Sequence, residues 1–366
     1  MRAADRAEAE RLFARFRAAG AVPVDADILL PADTLLDLYG EDIRARAYVT
    51  TDPLEGEMML RPDFTVPVVQ MHMAHGAEPA RYTYMGEVFR RQDHRGARAR
   101  EYLQVGYEVF ARENPEAADA EVFALFAEVL APLRLRAATG DIGILLAAIR
   151  GLSTSDRRKA ALLRHVWRPR RFRALLDRFG GRTPVAEPRA RLLSALAQTP
   201  VDDLIAAAGP AIGLRESGEV AARASALLQD ADTPPLSSAE VDLLEDLLNL
   251  RDSAPNALGH LRDVAVDLPS IAPAVDRFAR RLDALSVRGI DVATLDFEAS
   301  HGRTTMEYYD GFVFSFHAEG RAGLPPVASG GRYDALTRVL GQGRSIHAVG
   351  GVIRPGLVAA LTEGRA

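Results

Sequence analysis

Residues Met59 to Arg112 constrain the fold of this chain more than any other stretch. Two runs within it, Arg81 to Arg91 and Arg100 to Phe110, alternate with a period of two, which marks strands with distinct faces. In the second run Leu103, Val105 and Val109 point one way, and Arg100, Tyr102, Gln104, Gly106 and Glu108 the other. The join, Gln92 to Ala99, is polar, basic and contains Gly96, as a hairpin loop should be. A strand from Arg100 to Phe110 spans roughly 36 Å at about 3.3 Å per residue, enough to cross a whole domain. One face offers Arg90, Gln104 and Glu108 around Gly86 and Gly106, whose missing side chains leave room for a ligand. Without context, a solvated sheet face laced with salt bridges explains the same pattern.

At 366 residues the chain is long enough for two or three domains. Its net charge of −5 argues against a general nucleic-acid binder. The absence of cysteine excludes disulfides, a thiol nucleophile and a cysteine zinc site. Lys159 is the only lysine and follows Arg158, so a Walker A loop is excluded. A Schiff-base enzyme would have only this lysine, in a polar, arginine-rich helix. The N-terminal segment reads as a charged amphipathic helix rather than a signal peptide. No apolar run approaches the roughly 20 residues of a membrane span. The expected location is cytoplasmic, with no membrane partner.

The remaining elements follow from local signals. Residues 3 to 19 read as a helix closed by Gly20, and Asp33 to Leu38 as a helical turn. Arg46 to Thr50 and Met58 to Arg61 read as strands, and Thr65 to Ala74 as a helix with Pro67 in its first turn. Beyond the hairpin come a helix (Pro115 to Leu130), a strand (Leu133 to Ala138) and a helix (Ile142 to Arg150). From Ser153 to about Ser286 the chain is rich in Ala, Leu and Arg with a 3.6-residue period and frequent prolines, which predicts several short helices. There Trp167 and Arg168 to Arg173 could form an anion or partner patch, but an arginine-covered helix face beside a half-buried aromatic is the simpler account. Strands return at Thr294 to Ala299, Tyr308 to Ala318, Val327 to Tyr333 and His347 to Ile353, with helices at Asp334 to Leu340 and Pro355 to Glu363. In the second of these strands Phe312, Phe314 and Phe316 share one face. The total is an α+β fold: a mostly antiparallel sheet flanked by helices and split in sequence by an all-helical insertion.

Taken together, "LRPDFT", "GEVFRR" and "QVGYEVF" resemble motif 2 of class II aminoacyl-tRNA synthetases, in the histidyl branch. Three further stretches fit that pattern in order. "MEYYDGFVF" (Met306 to Phe314) resembles the paired-tyrosine strand, "ASGGRYDAL" (Ala328 to Leu336) the glycine-rich loop, and "HAVGGVI" (His347 to Ile353) the start of motif 3. The resemblance covers about residues 5 to 150 and 290 to 358. It implies a class II synthetase-like core at 1–152 and 287–366, with the helical insertion at 153–286. Ala21 to Leu38 corresponds loosely to motif 1, the dimer-forming element. Carried over residue by residue, Asp63, Thr65, Arg90, Gln104, Glu108, Tyr308 and Tyr309 would line a histidine pocket, with Gly330, Gly331, Arg332 and Tyr333 as its loop. Glu108 and Asp63 suit an α-ammonium, the tyrosine hydroxyls an imidazole, and Arg90 a phosphate or carboxylate.

The sequence also departs from the synthetases. Thr304 stands where an arginine assists adenylate formation, and Arg303 is one place off, turned to the opposite face if extended. Leu357 stands where motif 3 supplies an arginine for the ATP γ-phosphate, and Arg354 comes three residues early. Asp63 is one methylene shorter than the family glutamate. The sequence stops at Ala366, without the anticodon-binding domain. Loss of two phosphate-directed cations removes the charge stabilisation that adenylate chemistry needs. This combination is similar to the ATP phosphoribosyltransferase regulatory subunit family. That resemblance implies a non-catalytic, cytoplasmic protein of histidine biosynthesis that requires no cofactor. Its partner would be the short-form ATP phosphoribosyltransferase catalytic subunit, and free histidine its ligand, with a homodimer placed in a hetero-oligomer, a hetero-octamer in the family. No catalytic residue, metal site or tRNA binding is expected. The alternative is a truncated histidyl-tRNA synthetase-like enzyme activating an amino acid, with Arg90, Arg95 and Arg98 holding ATP. A tRNA-binding module is the weakest of the three.

Overall fold

The computed structural model describes residues 3–32, 47–92, 99–210, 212–303, 308–321 and 323–364. The expected turn at Asp33 to Leu38, most of the hairpin loop with Arg95 and Arg98, and Thr304 lie outside these residues.

The hairpin forms the long strands β5 (Ala80–Phe89) and β6 (Glu101–Phe110), antiparallel over their full lengths. They belong to a nine-stranded sheet in the order β1-β5-β6-β12-β11-β10-β7-β9-β8. Its other strands are β1 (Val22–Pro23), β7 (Arg136–Asp141), β8 (Arg251–Ser253), β9 (Asp296–Glu298), β10 (Phe312–His317), β11 (Ala328–Arg332) and β12 (Ala348–Ile353). All neighbours pair antiparallel except β1 with β5 and β7 with β9. A small antiparallel sheet, β2 (Leu29–Pro31), β4 (Gly56–Leu60) and β3 (Val49–Asp52), stands beside it.

Helices pack on the back of the large sheet. Helix α1 (Ala3–Ala18) buries Ala9, Leu12 and Phe16, and Phe16 lies 5.4 Å from the rings of both Tyr107 and Phe126. The expected helix at Pro115 to Leu130 forms with those bounds; after α2 (Thr65–His75), it is α3. Phe123 on α3 meets Phe312, Phe314 and Phe316 at ring separations of 6.2, 5.6 and 5.3 Å. The three phenylalanines share a face because strand side chains alternate, and these aromatic contacts fill the centre of the core.

After α4 (Ile142–Gly151), residues 153–286 are helical apart from β8 and short turns: α5 (Asp156–Arg164), α6 (Pro169–Phe179), α7 (Glu187–Gln198), α8 (Val201–Ala207), α9 (Ser217–Asp232), α10 (Ser238–Asn249), α11 (Ala254–Asp267) and α12 (Ala272–Val287). Three residues, Arg251–Ser253, pair with β9 at the sheet edge. Helix α12 packs on α3. Helix α6 buries Phe172, Leu176 and Phe179 and exposes Arg170, Arg171 and Arg173, with Trp167 half-buried, as the simpler account of that stretch requires.

Several strand bounds differ from expectation. Tyr308 to Gly311 precede β10 rather than extending it, and the backbone N–H of Asp310 bonds the Arg332 carbonyl. The Asp310 carboxylate instead accepts from the N–H groups of Asp334 and Ala335, the start of α13 (Asp334–Leu340). A capping role takes the chain out of the ladder there. The 3₁₀ turns Ala131–Leu133 and Val292–Thr294 each take in the first residue of an expected strand, Leu133 and Thr294, and the strands themselves begin at Arg136 and Asp296. The last helix is α14 (Pro355–Thr362).

Candidate functional site

The candidate site lies on the front of the large sheet, opposite α3. On β6 the front positions are Gln104, Gly106 and Glu108, while Tyr107 and Val109 face back. This front face is no solvated surface: Gln104 is 0% and Glu108 1% exposed. Helix α2, the residues before it and the side chains of Tyr308, Tyr309 and Tyr333 cover it.

Glu108 is the hub. Its Oε1 accepts from the Tyr84 hydroxyl at 2.8 Å and the Thr65 hydroxyl at 3.3 Å, and its Oε2 accepts from the Tyr333 hydroxyl at 2.6 Å. Burial nevertheless pushes the Glu108 carboxyl up to about 7, against the pull of these hydroxyls and with the nearby charge of Asp63 adding to the rise. Burial and the Glu108 charge hold the Tyr84 and Tyr333 phenols well above their usual value. The Tyr309 phenol is also raised, by burial first and by Glu108 and Asp63, while Tyr308 and the charge of Arg90 oppose the shift. The Tyr308 ring lies 4.9 Å from Tyr309 and 6.1 Å from Tyr333.

The structure thus brings Asp63, Thr65, Glu108, Tyr308, Tyr309 and Tyr333 together. Arg90 stands at the border, where its Nε donates to the Pro62 carbonyl at 2.9 Å. Gln104 is buried beside them with neither its amide oxygen nor its nitrogen hydrogen-bonded to the described residues. An orphaned buried amide costs about 1–3 kcal/mol, so it marks a place where a polar partner is wanted. Gly331 backs the cluster: a Cβ there would come within 2.8 Å of the Tyr309 ring.

Two expectations need correction. Arg332 and Gly330 point to the back of the sheet, because they alternate with Gly331 and Tyr333. Arg332 bonds Asp119 of α3, and a Cβ at Gly330 would meet the Phe314 ring. The space over Gly86 and Gly106 is already filled by the chain itself. A Cβ at Gly106 would lie 2.0 Å from the Tyr84 ring, and one at Gly86 2.5 Å from the Arg61 guanidinium. Arg61 stacks on Phe64 at 4.0 Å and bonds the Glu87 carbonyl.

Sequence reasoning missed Tyr84 and Gly350. Tyr84 sits opposite Gly106 in the register and Gly350 opposite Glu108. The strand alternation already placed Tyr84 on the face of Gly86; the pairing of β12 with β6 had no local signal.

The fold and the sequence are similar to those of known proteins. A family model described as "Histidyl-tRNA synthetase" matches residues 2–254 and 216–355. The ATP phosphoribosyltransferase regulatory subunit of Rhizobium etli (strain CIAT 652) is 32% identical over 366 aligned residues, covering 93% of this chain and 93% of that protein. The chain belongs to the ATP phosphoribosyltransferase regulatory subunit family. A relative of the same description from Brucella anthropi is 31% identical and covers 89% of each chain. The fold agrees with a solved "ATP phosphoribosyltransferase regulatory subunit/histidyl-tRNA synthetase" from Bacillus halodurans C, with a TM-score of 0.67 and 19% identity over 99% of this chain and 81% of that one. The histidyl-tRNA synthetase of Nostoc sp. PCC 7120 also shares the fold, with a TM-score of 0.63 and 15% identity, covering 99% of this chain and 72% of that one.

In this member of the regulatory subunit family, Arg303 does not reach the tyrosine cluster. Its Nε donates to the Val166 carbonyl at 2.7 Å and its guanidinium lies 5.0 Å over Phe172, both in the 153–286 segment. Burial, with the charge of Arg173, lowers its pKa to about 10. Leu357 packs against the core, and Arg354 bonds the Pro326 carbonyl and stands 5.7 Å over Tyr102. A cleft of about 950 Å³ opens on the back of the sheet, not at Glu108, lined by Arg15, Arg81, Tyr107, Glu121 and Arg288. It is large, but Arg81 is already held by Glu121 at 2.6 and 2.8 Å, so the Glu108 cluster is the better candidate site. No helix among the described residues is long and apolar enough to cross a membrane.

Proposed function

We propose that this protein is the non-catalytic regulatory subunit of an ATP phosphoribosyltransferase in the first step of histidine biosynthesis. In this reading a short-form catalytic subunit requires it for activity, and it carries feedback by free histidine. It acts in the cytoplasm as a homodimer within a hetero-oligomer. The observation that carries the reading is a buried carboxylate ringed by tyrosines, beside a Gln104 with no hydrogen-bond partner among the described residues, in a chain whose Arg303 is turned away. The carboxylates Glu108 and Asp63 suit an ammonium, the tyrosine hydroxyls an imidazole, and Gln104 offers both a donor and an acceptor. Feedback requires that histidine bind the inactive assembly more tightly than the active one, and linkage makes that coupling reciprocal. The small sheet exposes Leu29 and Val49, and Ile28 just before it is exposed too, apolar groups suited to a dimer contact. We read residues 1–152 and 287–366 as the core and 153–286 as the segment added to it.

Co-expression with a short catalytic subunit, assayed with and without histidine, tests the proposal. Activity that depends on this chain and falls with histidine supports it; a catalytic subunit indifferent to the chain rejects it. Histidine-dependent pyrophosphate exchange by the isolated chain would favour the synthetase alternative instead.

A further inference from the structure

The back of the pocket strand carries a buried ladder of charges that ligand binding does not use. Arg332 donates from Nε and Nη2 to Asp119 Oδ1 at 3.0 and 2.6 Å, and from Nη1 to Asp334 at 3.0 Å. Asp119 Oδ2 accepts from Arg281 Nε at 2.8 Å, and Arg281 Nη1 reaches Asp141 Oδ2 at 2.8 Å. Asp141 in turn caps α4 by accepting from the Gly143 N–H. Arg281, Asp119, Asp141 and Arg332 are all buried. Four elements therefore meet at these groups: α3 through Asp119, β7 through Asp141, β11 through Arg332 and α12 through Arg281.

Such a ladder is not explained by stability. Desolvating several charges costs so much that well-packed apolar side chains do as well or better. What it provides is register, because planar guanidinium forks fix both distance and angle. Arg332 and Tyr333 are consecutive and point to opposite faces of the sheet. Tyr333 bonds Glu108 at the front, and Arg332 bonds Asp119 at the back. A shift of this strand therefore moves both contacts together, and Asp119 passes the movement to α12.

We propose that Asp119 and Arg281 are positioning residues that tie the Glu108 pocket to α12, so that filling the pocket alters the 153–286 segment. The inference rests on the histidine reading of that pocket. Neither residue touches the ligand; each acts through Arg332 and Tyr333.

The test uses the full chain, L-histidine, calorimetry for affinity and amide hydrogen exchange for the helices. In the wild type, saturating histidine should slow exchange in α12 by about fivefold or more, the low end of coupling between sites. Arg281→Met should bind histidine within about twofold of wild type, since the pocket side of the sheet is untouched, but lose the protection of α12. Arg281→Lys, which keeps the charge without the two-carboxylate fork, should behave likewise and serves if the methionine variant does not fold. Histidine binding without protection of α12 in the wild type overturns the proposal while leaving the pocket reading intact. So does equal protection in wild type and variants, or loss of affinity in step with protection. Absence of binding heat in the wild type removes the pocket reading, and the proposal with it.

Discussion

Gly350 and Glu108 face each other across β12 and β6, so closely that a Cβ on Gly350 would lie 1.5 Å from Glu108 Oε2. The carboxylate occupies the space that the missing side chain leaves. The neighbouring front position on β12, Val352, keeps a side chain because it faces Gly106 instead.

Gly350→Ala follows directly. The methyl group must push the carboxylate off its site and break its bond to Tyr333. The expected result is loss of histidine binding by calorimetry and a stability drop of about 1–3 kcal/mol in urea, as for other overpacked cores. An alanine variant that binds as the wild type does would show that Glu108 is not the recognition group.

The Glu108 carboxyl sets a pH dependence. Its folded-state value of about 7 lies above the ordinary 4.5. The folded chain therefore holds a proton that the unfolded chain has released between these values. Stability falls as pH rises through this window, by about 3 kcal/mol in total at roughly 1.4 kcal/mol per unit. Asp310, raised from 3.8 to about 7 by burial and by Asp334, contributes with the same sign. His301, lowered to about 4 by burial, acts in the opposite sense below its ordinary 6.5, so melting curves should show the fall in Tm between pH 6.5 and pH 8. Glu108→Gln should flatten part of that slope and be more stable than wild type at pH 8, while losing histidine affinity. A variant with an unchanged slope would place the titration elsewhere.

Phe123 tests the core on the other face. It is fully buried among Phe312, Phe314 and Phe316. Phe123→Ala should cost about 3–5 kcal/mol by denaturant unfolding, the range for buried aromatics. The pocket should keep its affinity in the folded fraction, since Phe123 sits behind the sheet.

Much of this was legible in the residues, because period-two alternation and glycine-marked turns are local signals. They placed β5 and β6, and with the resemblance they placed Asp63, Thr65, Glu108, Tyr308, Tyr309 and Tyr333 in one cluster. Alternation alone also separates Gly331 and Tyr333 from Gly330 and Arg332, and treating the four as one loop put Arg332 on the wrong face. What the sequence could not convey was how much side chain each gap already contains. Gly106 looked like space for a ligand, yet the Tyr84 ring lies over it. The Asp119–Arg281 pair joins residues far apart in sequence, and nothing local in either helix announces it.

Arg303 separates the two functional readings most sharply. In a synthetase-like site an arginine near this position would aid adenylate formation, so its loss would abolish activity. Here its guanidinium serves the Val166 carbonyl and the Phe172 ring, and its Nη2 is buried with no partner among the described residues. A half-satisfied buried cation is costly, and a methionine of similar length restores the apolar contact without it. Arg303→Met also removes the donor to the Val166 carbonyl, so it should cost no more than about 1–3 kcal/mol in urea, and should leave both histidine affinity and activation of the catalytic partner unchanged. Loss of histidine affinity, or of a measurable pyrophosphate exchange, on this substitution would mean that Arg303 turns toward the pocket when ligand is bound, and the regulatory reading would give way to the enzymatic one.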